Sequence, residues 1–250
     1  ENDPVLTPAL ERTSGFLPAV SVCRGQVVLA WDNRGVSGHH EVWFLRAAGR
    51  PVQLSAGGRF PQLAVDGDSV FCLWRSGRGL VLSASRDRGE TWRVKRRVVS
   101  EATAVEHFSI AAAGGRVLVW WETTEGVSWR VLSGEPGSTF SVSGSLPDNC
   151  SRASAAVLAT GGFALLYLRD APRGNEAVFE HFDAGGKRIG GEKKLVSATN
   201  VEEAVVTRFG EQYHAAFFVS MPGARRLAHR SETTGLYLLP ETGGEPFHLN

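Results

Sequence analysis

The sequence predicts an all-β fold: a β-propeller of four-stranded antiparallel blades, five in number. Three observations carry this expectation. No long stretch places apolar residues at i, i+3, i+4 and i+7, the spacing of an amphipathic helix. Short β-rich runs recur instead, divided by Gly, Asn, Asp and Ser. The runs also resemble one another at a period in the forties, which is the length of a propeller blade.

Five segments show the repeat. They are PAVSVCRGQVVLAWDNRG from Pro18, PQLAVDGDSVFCLWRSG from Pro61, FSIAAAGGRVLVWWETTEG from Phe108, ASAAVLATGGFALLYLRD from Ala153 and EAVVTRFGEQYHAAFFVS from Glu203. Each reads as a small-apolar strand a, a tight turn and a stronger strand b. The second strands end near Trp31, Trp74, Trp121, Leu168 and Phe218, at gaps of 43, 47, 47 and 50 residues. A third strand c follows a variable loop, as in EVWFLRA from Glu41, LVLSAS from Leu80, VSWRVLS from Val127 and AVFEHFD from Ala177. A fourth strand d ends the unit, as in RPVQLSA, WRVKRRVVS, FSVSGSL and KKLVSA.

The expected blades span 16–57, 58–101, 106–146, 152–198 and 202–250, in a single domain covering residues 1–250. Two stretches compete to close the ring. The N-terminal PVLTPALERTSGFLPAV resembles a strand d running into strand a, so residues 1–15 can complete the last blade. The C-terminal LYLLPETGGEPFHLN resembles a complete c–d pair. Either the last blade has an extra strand, or the residues from Met221 to Thr234 hold an insertion or strand c itself.

Composition bounds the partners. The chain has 250 residues, 42% of them hydrophobic, which is enough for a sizeable core. Lys+Arg is 27 and Asp+Glu is 26, giving a formal charge of +1. A nucleic-acid binder normally shows a basic excess, so no nucleic-acid partner is expected. No apolar run approaches the roughly 20 residues of a membrane helix, so no membrane insertion is expected. The chain begins Glu-Asn-Asp-Pro, which reads as processed or trimmed, and a secreted or periplasmic location is the expectation. Cys23, Cys72 and Cys150 lie far apart with no C-x-x-C pair. They read as buried free thiols, or as one bridge with a leftover thiol. No cofactor and no metal are expected: His39 and His40 are adjacent on a strand and point to opposite faces. Asn149-Cys150-Ser151 fits the glycosylation sequon. The oligomeric state is left open.

Residues 85–92, Ser-Arg-Asp-Arg-Gly-Glu-Thr-Trp, lie between strands c and d of the second unit. They fit the pattern Ser-x-Asp-x-Gly-x-Thr-Trp at every defined position. On this motif and the blade pattern, the chain resembles the Asp-box (BNR) β-propellers of the sialidase-like superfamily. The turn chemistry stands without that resemblance. Asp87 accepts backbone N–H bonds, Gly89 supplies positive φ, and Trp92 folds back as an apolar plug. Ser85, Asp87, Gly89, Thr91 and Trp92 are therefore expected to be structural. Eroded versions occur at Asp183, Ser133 and Pro240. Family sialidases carry a Tyr nucleophile with a partnering Glu, an arginine triad and an early Arg-Ile-Pro-like motif. Here Arg59-Phe60-Pro61 matches in part and Phe16-Leu17-Pro18 lacks the Arg. Tyr167 and Tyr213 fall within b strands and Tyr237 near an outer strand, away from an axial site.

In a blade the c–d and a–b turns share one face. The b–c loops and the connections into strand a share the other, where a central site would form. Just before strand a come Phe16, Arg59, Phe60, Glu106, His107, Arg152, Glu202 and Glu203. The b–c loops add Asp32, Arg34, His39, His40, Arg75, Arg78, Glu122, Glu125, Arg169, Asp170 and Arg173. The residues expected to bind a ligand are Arg59, Glu106, His107, Arg152, Glu202 and Glu203. Arg59 and Arg152 can fork a carboxylate. The Glu residues can accept sugar hydroxyls or act as acid and base. Against this stands a ring of solvated charges around a channel mouth.

Three functions fit this face. The favoured one is a non-catalytic binding module for a carbohydrate or protein, given the small size, the eroded boxes and the missing sialidase set. The alternatives are a sialidase-like glycoside hydrolase acting on an acidic sugar, and a structural scaffold in a protein complex.

Overall fold

The computed structural model describes residues 16–35, 38–47, 49–93, 95–133, 140–157, 162–172, 174–183, 185–198, 201–209, 212–221, 224–231, 236–238 and 247–249. Every regular element among them is a strand. The chain divides into two compact units: residues 1–105 with 134–137, and residues 106–133 with 138–250. The expected closure by residues 1–15 lies outside the described residues.

The first unit holds two sheets. One comprises β1 (Phe16–Cys23), β2 (Gln26–Arg34), β3 (His40–Arg46) and β4 (Val52–Ser55). The other comprises β5 (Arg59–Asp66), β6 (Ser69–Ser76), β7 (Gly79–Ser85) and β8 (Arg96–Val99). The second unit holds three. The first of these is β9 (His107–Ala113), β10 (Arg116–Thr123), β11 (Gly126–Ser133) and β12 (Phe140–Ser145). The next is β13 (Cys150–Val157), β14 (Phe163–Ala171), β15 (Gly174–Phe182) and β16 (Arg188–Ala198). The last is β17 (Val201–Phe209), β18 (Gln212–Met221), β19 (Ala224–Ser231), β20 (Leu236–Leu238) and β21 (Phe247–Leu249). Each sheet is an antiparallel meander in chain order, the blade architecture of an all-β propeller. The fifth sheet has both features the sequence left as alternatives: β19 is a strand c between Met221 and Thr234, and β21 is an extra outer strand.

Alternation along the strands decides which side chains meet. In the first unit, Val28, Ala30, Val42 and Phe44 of the first sheet form a buried cluster with Val70, Cys72 and Trp74 of the second. Trp74 lies flat enough on Gly58 that a Cβ there would come within 2.4 Å of its Cδ1. In the second unit, Trp120 and Trp129 pack with Phe163, Tyr167 and Phe182. The opposite face of the same sheet buries Leu166, Leu168 and Phe179 against Tyr213, Ala215 and Phe217. Cys23, Cys72 and Cys150 are free and buried, so the bridge alternative falls away.

The 85–92 turn is closed by its own polar groups. The Ser85 hydroxyl donates to Asp87 Oδ1 at 2.7 Å, and its oxygen accepts the Gly89 N–H at 2.7 Å. Asp87 Oδ1 accepts the Thr91 N–H at 2.8 Å, and Oδ2 accepts the Thr91 hydroxyl. Gly89 has φ +89, and an added Cβ would meet Phe44 of the neighbouring sheet at 2.3 Å. Trp92 then meets Phe44 edge-on at 4.7 Å. The turn after β15 repeats this in outline. Asp183 Oδ1 accepts the Lys187 N–H at 2.9 Å, and Gly186, at φ +85, lies against Val131 of its neighbouring sheet.

Candidate functional site

In four of the five sheets the first strand starts irregularly. Register shifts occur between Phe16 and Ala19, Arg59 and Gln62, Ser151 and Ser154, and Val201 and Glu203. Such bulges re-aim side chains at the rims of sheets. Within two of them a non-glycine residue takes positive φ: Phe60 at 56° and Arg152 at 50°. That conformation is costly for an ordinary residue, and a carboxylate from the preceding sheet offsets the cost in both cases. Asp32 Oδ2 accepts the Phe60 N–H at 3.0 Å, and Glu122 Oε2 accepts the Arg152 N–H at 3.1 Å. Asp32, Arg75 and Glu122 each follow the aromatic residue of a strand b. Arg75 makes the third such tie, donating from Nη1 to the Val105 carbonyl at 3.3 Å.

In the first unit these ties frame a cavity of ≈ 510 Å³. It lies where β7 starts, and the 85–92 turn lies where β7 ends, so the two occupy opposite ends of the sheet. Its charged lining is Arg59, Arg75, Arg78, His39 and His40. The Arg75 guanidinium stacks over the Phe60 ring at 4.5 Å. Burial lowers the Arg75 pKa from its ordinary value, and the charge of Arg59 lowers it further. Behind His40 lies Asp32, 0% exposed, with Oδ2 3.9 Å from the imidazole Nδ1. Asp32 Oδ1 is buried and has no hydrogen-bond partner among the described residues.

In the second unit a cavity of ≈ 450 Å³ is lined by His107, Phe108, Trp120, Arg152, Ala153, Ala204 and Val205. His107 lies directly across from Glu122, and the Glu106 N–H donates to the Glu122 carbonyl at 2.9 Å. The structure thus brings His107 and Arg152 to one cavity. It places Glu106, exposed, beside His107, and Arg59 on the first unit's cavity. Glu202 and Glu203 belong to β17, and their side chains are outside the described set.

From sequence, Arg75, Arg78, His39 and His40 are b–c loop residues of this face outside the expected ligand-binding set. Nothing local separates them from solvated loop charges; only their convergence does. Tyr167 is a second case. It is fully buried, and its hydroxyl donates to Glu180 at 3.1 Å. Glu180 is itself buried and faces Arg188 at 3.0 Å. Burial raises the Glu180 pKa. This Tyr–Glu pair is therefore part of the packing, with Arg169, Glu176, Glu192 and Lys194 paired beside it. Among the described residues no group of three or more His, Cys, Asp or Glu is placed to hold a metal. No helix among them is long and apolar enough to cross a membrane.

No family model matches the chain, and no curated protein does. Solved structures do. A leech intramolecular trans-sialidase, complexed with 2,7-anhydro-Neu5Ac, aligns with TM-score 0.60 at 10% identity, over 98% of this chain and 61% of that one. The chain thus spans about three fifths of the leech enzyme. An alpha-L-arabinofuranosidase from Podospora anserina aligns with TM-score 0.48 at 10% identity, over 92% and 93% of the two chains. An endo-arabinanase from Bacillus licheniformis aligns with TM-score 0.44 at 13% identity, over 76% and 79%. The likeness to the leech enzyme supports the β-propeller fold. The comparison also corrects one expectation. The sequence favours a non-catalytic binding module, whereas the structure that the chain resembles at TM-score 0.60 is an enzyme, a trans-sialidase.

Proposed function

We propose that the protein is a carbohydrate-active enzyme, a glycoside hydrolase acting on an acidic sugar. Its active face is the end of the sheets that carries the b–c loops. One arrangement supports the reading: the first unit's cavity combines a proton-handling pair with anion-binding groups. His40 lines the cavity with the Asp32 carboxylate behind it. A positioned imidazole can pass a proton to or from a reacting group, as cleavage of a glycosidic bond requires at the leaving oxygen. Arg59, Arg75 and Arg78 supply forked donors for the acidic group. His107 and Arg152, on their own cavity beside Trp120, are a second sugar contact, and Glu106, Glu202 and Glu203 are further acid–base candidates. The 85–92 turn is read as an Asp-box with a structural role, the five sheets as one domain, and the protein as secreted.

The test is turnover of a panel of neutral and acidic aryl glycosides by the full chain. Acidic members are expected to be hydrolysed. His40→Gln should lower kcat by 10²-fold or more, the scale of a lost general acid or base. Arg59→Ala should act chiefly on KM. A folded protein that turns over no member of the panel overturns the reading.

A further inference from the structure

We infer that the first unit's cavity takes a phosphomonoester, a dianionic phosphate borne by a sugar. This rests on the reading of the site as acting on an acidic sugar, and it names the acid.

The first ground is charge balance. Arg24, Arg46, Arg88, Arg97, Arg169 and Arg188 each face a carboxylate at 3.2 Å or less. Arg59, Arg75 and Arg78 line the cavity, and none of the three has an ion pair among the described residues. The nearby carboxylates are not paired with these arginines. Asp32 holds the Phe60 N–H. Glu101, next to Gly77 at the cavity rim, is paired with Arg97 at 2.6 Å. Three guanidinium groups therefore face one cavity with no carboxylate paired to any of them among the described residues, and their mutual repulsion eases when an anion arrives.

The second ground is that the cluster is held in place. Arg75 is fixed by the Val105 carbonyl and by stacking on Phe60. Burial and the neighbouring Arg59 charge both act against its protonated form. A fixed guanidinium loses little entropy on binding.

The third ground is the match of charge and acceptors. A carboxylate brings one charge and two oxygens, leaving two of the three guanidiniums uncompensated. A sulfate ester brings three free oxygens and one charge. A phosphomonoester brings roughly −1.5 to −2 at neutral pH and three strong acceptor oxygens. The ≈ 510 Å³ volume falls in the range of roughly 300–1,000 Å³ usual for small-molecule sites.

Acidification separates these ligands. His39 and His40 line the cavity, flanked by Asp32, Arg34, which lies directly across from His40, and Glu41. Protonating the imidazoles strengthens binding of any anion. The second ionisation of a phosphate, near pH 6, works the other way. The ratio of phosphate to sulfate affinity cancels the protein's part and keeps the ligand's.

The experiment is calorimetric titration of the full chain at low salt with hexose 6-phosphate, hexose 6-sulfate, a hexuronate and the neutral hexose. Inorganic phosphate and sulfate are run beside them, all at pH 7.5 and pH 5.0. The phosphate ligands are expected to bind at least tenfold more tightly than sulfate or uronate at pH 7.5, with the advantage shrinking toward parity at pH 5.0. The double variant Arg59→Ala/Arg78→Ala removes two exposed side chains and should unfold at the parent temperature. It should lose phosphate affinity tenfold or more. Equal affinity for uronate or sulfate at pH 7.5, no loss in the double variant, or no anion binding at all would each overturn the inference. Hydrolysis of a phosphate-free acidic glycoside by protein that binds no phosphate overturns this inference alone. Phosphate binding without any glycoside turnover overturns the hydrolase reading alone.

Discussion

Gly89→Ala isolates the close approach on which the 85–92 turn is built. Two costs are expected. The first is conformational: φ at Gly89 is +89, and an L-residue in left-handed geometry costs about 1–2 kcal/mol. The second is steric. The added Cβ would lie 2.3 Å from Phe44 Cε1 and 2.5 Å from Cζ. Phe44 is 1% exposed and wedged by Trp92, so it has nowhere to retreat. Overpacking of this kind costs about 1–3 kcal/mol. The expected loss is thus about 2–5 kcal/mol. Gly67→Ala is the control, because φ there is +59 and an added Cβ would come no closer than 4.0 Å to the flexible end of Arg24. It should show only the first cost. The assay is urea unfolding, read as a midpoint shift at constant slope. Adding Phe44→Leu to Gly89→Ala should recover part of the loss, with a coupling of about 1 kcal/mol or more. If Gly89→Ala costs no more than Gly67→Ala, the turn is not seated on Phe44 and the packing argument fails.

Asp87 supplies a pH test of the same turn. Partial burial pushes its carboxyl up, but hydrogen bonds from Thr91, Ser85 and its own N–H more than offset this and hold it at about 2. A folded pKa below the unfolded value stabilises the fold above that unfolded value, and the contribution is lost as pH falls toward 2. The stability gap between the parent and Asp87→Asn should therefore narrow between pH 4 and pH 2; a constant gap in denaturation midpoints would exclude the carboxylate as the closing group. Glu180 has the opposite sign. Its raised pKa contributes stability at acid pH that is lost as pH rises through the folded value, so Glu180→Gln should flatten that part of the pH profile. Arg188→Ala leaves Glu180 buried without its cation and should cost about 1–3 kcal/mol at pH 7 and less at pH 4; equal losses at both pH values would count against a charged Glu180. Finally, burial holds the Cys150 thiol up at about 11 and raises the Cys72 pKa as well. Neither thiol should react with an alkylating reagent at pH 8 until the protein unfolds; labelling of the native state, read by mass spectrometry, would contradict their burial.

Much of the fold was legible because its signals are local. Blade spacing follows from first, second and third strands of seven to ten residues joined by tight turns, and alternation along each strand assigns its two faces. The sequence alone thus determined five sheets, their meander order and the polar chemistry of the 85–92 turn. The last sheet escaped because the C-terminal residues fit two strand assignments, and only pairing partners distinguish them. The candidate site escaped for a different reason. Asp32 reaches Phe60 across 28 positions and Arg75 reaches Val105 across 30. Whether an arginine is paired, as Arg169 is, or faces a cavity uncompensated, as Arg59 does, depends on which charges lie within about 4 Å. Tyr167 shows the same limit, since its strand position was readable while its buried partner Glu180 was not. Residue type and spacing are properties of the chain. Charge compensation and burial are properties of distances between remote residues, and only the tertiary structure decided them.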